Sequence, residues 1–88
     1  GEDCKVCVTE SLLLLMRRGF TSARVCFFAE EEGGIGVRVT GEEPSTLSSF
    51  SEQDEIALAL LNALASYVSM DKSEGEVSAI AFLFGQQA

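Results

Sequence analysis

The chain has no histidine, no tryptophan and a single proline. Without histidine the commonest general base is missing, and so is the commonest metal ligand. No serine, cysteine or lysine stands in a recognisable nucleophile motif, so no catalytic residue is assigned and a non-enzymatic role is expected. Basic residues are scarce: six Lys and Arg stand against fourteen Asp and Glu, a formal net charge of −8. The arginines Arg17, Arg18, Arg24 and Arg38 are scattered along the chain. Nucleic-acid binding rests on neutralising phosphates, so a direct nucleic-acid partner is not expected. Anionic membranes would repel the chain for the same reason. Long apolar runs are missing too, since Leu12–Met16 falls far short of the roughly 20 residues that span a bilayer.

Three cysteines are odd in number, where a disulfide scaffold wants an even and denser set. Reduced thiols in the cytoplasm, or another intracellular reducing compartment, are the simpler expectation. The opening Gly1-Glu2-Asp3-Cys4 has neither a basic region nor a secretory cleavage site. A leading glycine suits a cleaved start, and the chain would then be a fragment of something longer.

What is present describes one small folded unit. Eighty-eight residues, 47% of them apolar, make a single acidic α+β domain over residues 1–88, with enough core to fold without a metal or a disulfide framework. A helix is expected from about Asp3 to Arg18, because Val8, Leu12, Leu15 and Met16 fall at spacings of three and four. Arg17 and Arg18 favour the negative end of its dipole, and Gly19 can take the left-handed conformation that stops it. Ala23–Glu31 and Ile35–Thr40 alternate with a period of two around Gly33-Gly34, which reads as a β-hairpin. Gly41–Ser49 reads as a loop. Ser51 followed by Asp54 is a capping-box-like start for a second helix, expected to run to about Met70 on the stripe Ile56, Leu60, Leu64 and Val68. After a turn, Glu76–Phe84 reads as a strand.

The expected order is therefore helix, strand, strand, helix, strand: a three-stranded, mainly antiparallel sheet with two helices packed on one face. The last strand is apolar on both sides, with Val77, Ala79, Ala81 and Leu83 facing one way and Ile80, Phe82 and Phe84 the other. Two helices cover one face of so small a sheet. Ile80, Phe82 and Phe84, with Phe28 and Cys26, are left needing a cover. Leu12–Leu15 is apolar all round one helical turn, so Leu13 and Leu14 raise the same question.

Motifs for chemistry are few. Cys4-Lys5-Val6-Cys7 is a CxxC, which can perform thiol–disulfide exchange at a helix N-terminus or supply two zinc ligands. It opens the chain instead of following a core strand, and a closed four-cysteine site would need a second chain. Two ordinary small residues are the favoured reading, and no metal or cofactor is assigned. Gly33-Gly34-Ile35-Gly36 lacks the Lys-Ser/Thr of a phosphate loop and precedes a strand, so its glycines are expected to serve the hairpin turn. Glu30, Glu31 and Glu32, with Glu42 and Glu43, are expected as solvated turn residues or as an acidic surface.

The leading expectation is a protein–protein interaction module that self-associates through an apolar sheet face or edge. Its interface candidates are Ile80, Phe82, Phe84, Phe28, Leu13 and Leu14. One alternative is an acidic inhibitor or nucleic-acid-mimicking decoy that occupies a basic protein. Another is a thiol-dependent regulator using Cys4 and Cys7.

Overall fold

A computed structural model describes residues 2–31, 33–46, 49, 51–73 and 76–85. Glu2–Arg18 forms α1, with acidic Glu2 and Asp3 in its first turn and Arg17 and Arg18 in its last. Both ends match the helix dipole. Gly19 ends the helix at φ 115°, and its N–H donates to the carbonyls of Leu15 (3.2 Å) and Met16 (3.1 Å).

The chain then enters a hairpin of β1 (Phe20–Ala29) and β2 (Ile35–Pro44). Gly33, at φ 95°, donates its N–H to the Glu30 carbonyl at 3.0 Å, and the Glu30 N–H donates to the Gly34 carbonyl at 2.9 Å. Both strands outrun the sequence reading, since β1 starts three residues before Ala23 and β2 takes in the first part of the expected Gly41–Ser49 loop. Glu43 sits at φ 52° inside that extension. Thr21 Oγ1 donates to its carbonyl at 2.7 Å and Ser22 Oγ to its carboxylate at 2.8 Å, contacts that offset the strain of a left-handed glutamate.

Ser51 caps α2 (Glu52–Leu64). The expected capping box is present: the Asp54 N–H donates to Ser51 Oγ at 3.2 Å, and the Ser51 N–H donates to Asp54 Oδ2 at 3.0 Å. The other Asp54 oxygen accepts from Arg17 Nε at 2.7 Å. That bond fixes the rotation of α2. With Asp54 turned inward, residues three and seven positions later turn inward with it, and Ala57 and Leu61 are the buried ones. Ile56 and Leu60, expected on the core stripe, are exposed.

The second helix stops six residues short of Met70, and Tyr67–Ser73 is a fourth strand, β3, that pairs with β4 (Glu76–Phe84). A stripe at i and i+4 through Leu64 and Val68 suits a helix, but Val68 and Met70 also alternate. Their neighbours Ser66, Tyr67 and Ser69 are indifferent helix formers. Pairing decides, because Val68 and Met70 lie opposite Phe82 and Ile80 and join the core there. The sheet is antiparallel throughout, in the order β1-β2-β4-β3.

The extra strand reverses the expected use of β4. Ile80 and Phe82 are fully buried, together with Val37 and Val39 of β2, Leu14 and Leu15 of α1 and Leu61 of α2. Phe84 is half-buried, its ring edge-on to Phe82 with centroids 5.8 Å apart. These three residues lie on the helix-covered face of the sheet, and Ile80 and Phe82 are not available to a partner. Leu14 is likewise core, whereas Leu13 is exposed.

Ser11 lies on the core side of α1 with no exposure, and its hydroxyl has no hydrogen-bond partner among the described residues. Ser11→Ala removes that hydroxyl and improves helix propensity, so it should raise stability by about 0.5–1.5 kcal/mol. A urea midpoint that falls would mean the hydroxyl is satisfied.

Candidate functional site

Alternation along the strands gives the sheet one face that the helices leave open. The register sets three rows across it: Phe28, Gly36, Leu83 and Tyr67; Cys26, Arg38, Ala81 and Ser69; Arg24, Thr40, Ala79 and Asp71. The middle of this face is closed by the chain itself. Arg38 pairs with Asp71 across the small side chains of β4, and Arg24 pairs with Glu42 at 2.9 Å. In the apolar row the Phe28 ring lies over Gly36, where a Cβ would come within 2.2 Å of it. Only glycine admits the ring there, and the ring covers backbone that a glycine leaves bare. Among the described large apolar side chains, those exposed on this face are Phe28 and Tyr67 at one end.

The sheet edges differ more than its faces. The β3 edge is short, carries Asp71 and Lys72, and has a register shift between them. Charges and bulges are the usual protection of an edge against pairing. The β1 edge has ten residues, one charge (Arg24) and an unbroken register with β2. Hydrogen-bonded and non-bonded pairs alternate in an antiparallel ladder. The Glu30 bond to Gly34 sets the phase, so Phe28, Cys26 and Arg24 bond inward to β2. Thr21, Ala23, Val25, Phe27 and Ala29 therefore aim their N–H and C=O groups outward, where no described strand pairs with them.

Beside this edge runs one side of α1. Cys4, Lys5, Val8 and Thr9 meet Phe27 in an open cleft of about 420 Å³. Leu12 and Met16 continue the row from Val8 at spacings of four. Val8 and Leu12 are half-buried, while Met16 and Phe27 are each 65% exposed. Across Phe27 lies a second cleft of about 380 Å³, bordered by Asp3, Cys4, Ile35, Leu64 and Phe84. Exposed apolar groups thus gather along β1 and the side of α1 above it. This row of α1 and the whole of β1 carry no carboxylate, in a chain of net charge −8.

Of the sequence candidates, Phe28 and Leu13 are exposed, but they belong to different faces, the open side of the sheet and the outer side of α1. Glu30 and Glu31 border the hairpin turn, while Glu42 and Glu43 lie at the far end of β2. At about 3.3 Å per residue the two groups stand roughly 25 Å apart, so they form no single acidic patch. Glu32 lies outside the described residues. The residues that sequence reasoning missed are Val25, Phe27 and Met16. Their signal was Val25-Cys26-Phe27-Phe28, four apolar residues in succession in a strand with room for helices on one side only.

The CxxC lies along α1, with Cys4 half-buried and Cys7 fully buried. Burial, then Cys4 and Asp3, push the Cys7 thiol up to about 11, the opposite of an activated thiol. Among the described residues no three His, Cys, Asp or Glu side chains gather as a metal site. No described helix is long and apolar enough to cross a membrane. Comparison with protein-family models, curated proteins and solved structures returns no match.

Proposed function

We propose that this chain is a protein–protein interaction module that self-associates through the β1 edge and the neighbouring side of α1. The observation that carries the reading is the coincidence, on one side of the fold, of a ladder that no described strand pairs with, exposed Phe27 and Met16, and a strand and helix row that themselves carry no acidic side chain. Copies that each bear −8 repel one another, and contact is easiest where no carboxylate is brought up against its equivalent. An edge strand alone buries too little surface for a stable pair, and the α1 row supplies a second layer.

Light scattering at low and high salt tests this. The expected result is a dimer or larger species that persists at high salt, where the repulsion is screened. Phe27→Asp, at a site 65% exposed, should yield a folded monomer. A wild-type chain that stays monomeric at high concentration in both salts would sink the proposal.

A further inference from the structure

The outward ladder of β1 is symmetric about its own middle. Beyond its ends the carbonyls are taken within the chain, that of Gly19 by the Ser45 N–H at 2.8 Å and that of Glu30 by the Gly33 N–H at 3.0 Å. Between them the outward residues are Thr21, Ala23, Val25, Phe27 and Ala29, and the central one is Val25. We infer, on the basis of the self-association reading, that β1 pairs antiparallel with β1 of a second copy about a two-fold axis at Val25, which sets Arg24 opposite the partner's Cys26. That axis pairs Thr21 with Ala29, Ala23 with Phe27 and Val25 with its equivalent, so every outward residue exchanges both backbone bonds. Moved one residue to Arg24, the axis would leave Ala29 over, and moved to Cys26 it would leave Thr21 over. A half-residue shift would set outward residues against inward-bonded ones.

Side chains fit the same register, and both faces must match at once in a strand pair. On the helix side the Phe27 ring of one copy, 65% exposed on its own, lies beside the small Ala23 of the other. Two β-branched valines meet at the axis. On the open side Arg24 meets Cys26 and Ser22 meets Phe28. An axis at Arg24 would instead set two arginines against each other, and like charges directly opposite are destabilising. The helix layer shares the symmetry. Phe27 meets α1 between Cys4 and Thr9, and α1 runs back along β1 from the turn at Gly19. From Phe27 to Val25 is about 7 Å of strand, which α1 spans in roughly four or five residues, so the axis stands close to Leu12. Val8 of each α1 then lies toward Met16 of the other, with Leu12 central. That symmetry favours a second copy over a foreign extended peptide, which would leave the row open.

Engineered thiols report the register. Arg24 and Cys26 are exposed and stand in non-hydrogen-bonded positions toward the partner, where facing Cα atoms are about 4.5 Å apart, within the span a disulfide bridges. In Arg24→Cys the introduced thiol faces the partner's Cys26 on both sides of the axis, and brief treatment of the full chain with diamide should join the copies. Each bond takes two electrons and two protons from a facing pair of thiols to one diamide, which becomes its hydrazine. The expected readout is a doubling of mass on a non-reducing gel from 9.4 kDa, lost when Cys26→Ser is added. Wild type should not cross-link under the same treatment, because its two Cys26 thiols lie two residues out of step. Val25→Cys in the Cys26→Ser background gives a second reading: its equivalents face each other at about 5.5 Å and should also double the mass. Cross-linking of wild type through Cys26, or of Arg24→Cys in the Cys26→Ser background, overturns this register and leaves self-association standing. So does a dimer by light scattering in which neither Arg24→Cys nor the Val25→Cys variant cross-links. A monomer by light scattering overturns both.

Discussion

Asp54→Ala is expected to lower folding stability by about 2–4 kcal/mol, a large share of the total for a domain this small. Asp54 is only 1% exposed, and one carboxylate performs three tasks. It closes the capping box by accepting from the Ser51 N–H, it accepts from Arg17 Nε, and its position sets which side of α2 faces the core. Alanine leaves Arg17 Nε without its carboxylate acceptor and frees α2 to turn. Burial acts to raise the Asp54 pKa, but the bond from the Ser51 backbone and then those from Arg17 and the Ser51 side chain outweigh it. The carboxyl is held below its ordinary value. A native pKa below the unfolded one means stability that is present above about pH 4 and lost as pH falls through the native value. Urea unfolding of wild type and Asp54→Asn should therefore differ most near neutral pH, and the gap should narrow below about pH 4. A gap that stays constant down to pH 2 would show that the charge contributes nothing and only the shape of the cap matters.

The extent to which the fold was legible follows from which rules act locally. Helix termini are local, and Arg17-Arg18-Gly19 and Ser51 with Asp54 marked theirs correctly. So is the hairpin, where Gly33 carries the positive φ its place in the sequence implied. The failures all turned on contacts distant in sequence. Whether Val68 and Met70 continue a helix or start a strand depends on Phe82 and Ile80, residues on another element. Once that strand was missed, the accounting of sheet faces inverted, because β4 moved from a sparsely covered position to one between β2 and β3. The rotation of α2 had the same character: Ile56 and Leu60 form as good a stripe as Ala57 and Leu61, and the choice rests on Arg17, 37 residues away from Asp54. For the site, an apolar excess was legible and its location was not. The excess belongs to β1, an edge strand, and edge position is a property of strand order that periodicity does not encode.

Phe82→Ala should lower stability by about 3–5 kcal/mol and bring the domain close to unfolding at room temperature. The ring is fully buried between Val37 and Val68 on the neighbouring strands and stacks edge-on with Phe84. A cavity at that position touches every layer of the core. Phe27→Ala removes the same atoms from a site 65% exposed, where a surface substitution shifts the stability of a monomer by about 0.5 kcal/mol or less. The two phenylalanines thus separate folding from association. Thermal unfolding over a range of protein concentrations reads both effects, because a self-associating chain gains apparent stability with concentration by mass action. Phe82→Ala should lower the midpoint at every concentration and keep the concentration slope. Phe27→Ala should flatten the slope and leave the low-concentration midpoint near wild type. The reverse pattern, with association lost in Phe82→Ala and folding in Phe27→Ala, would place the partner-facing surface on the side of the sheet assigned here to the core.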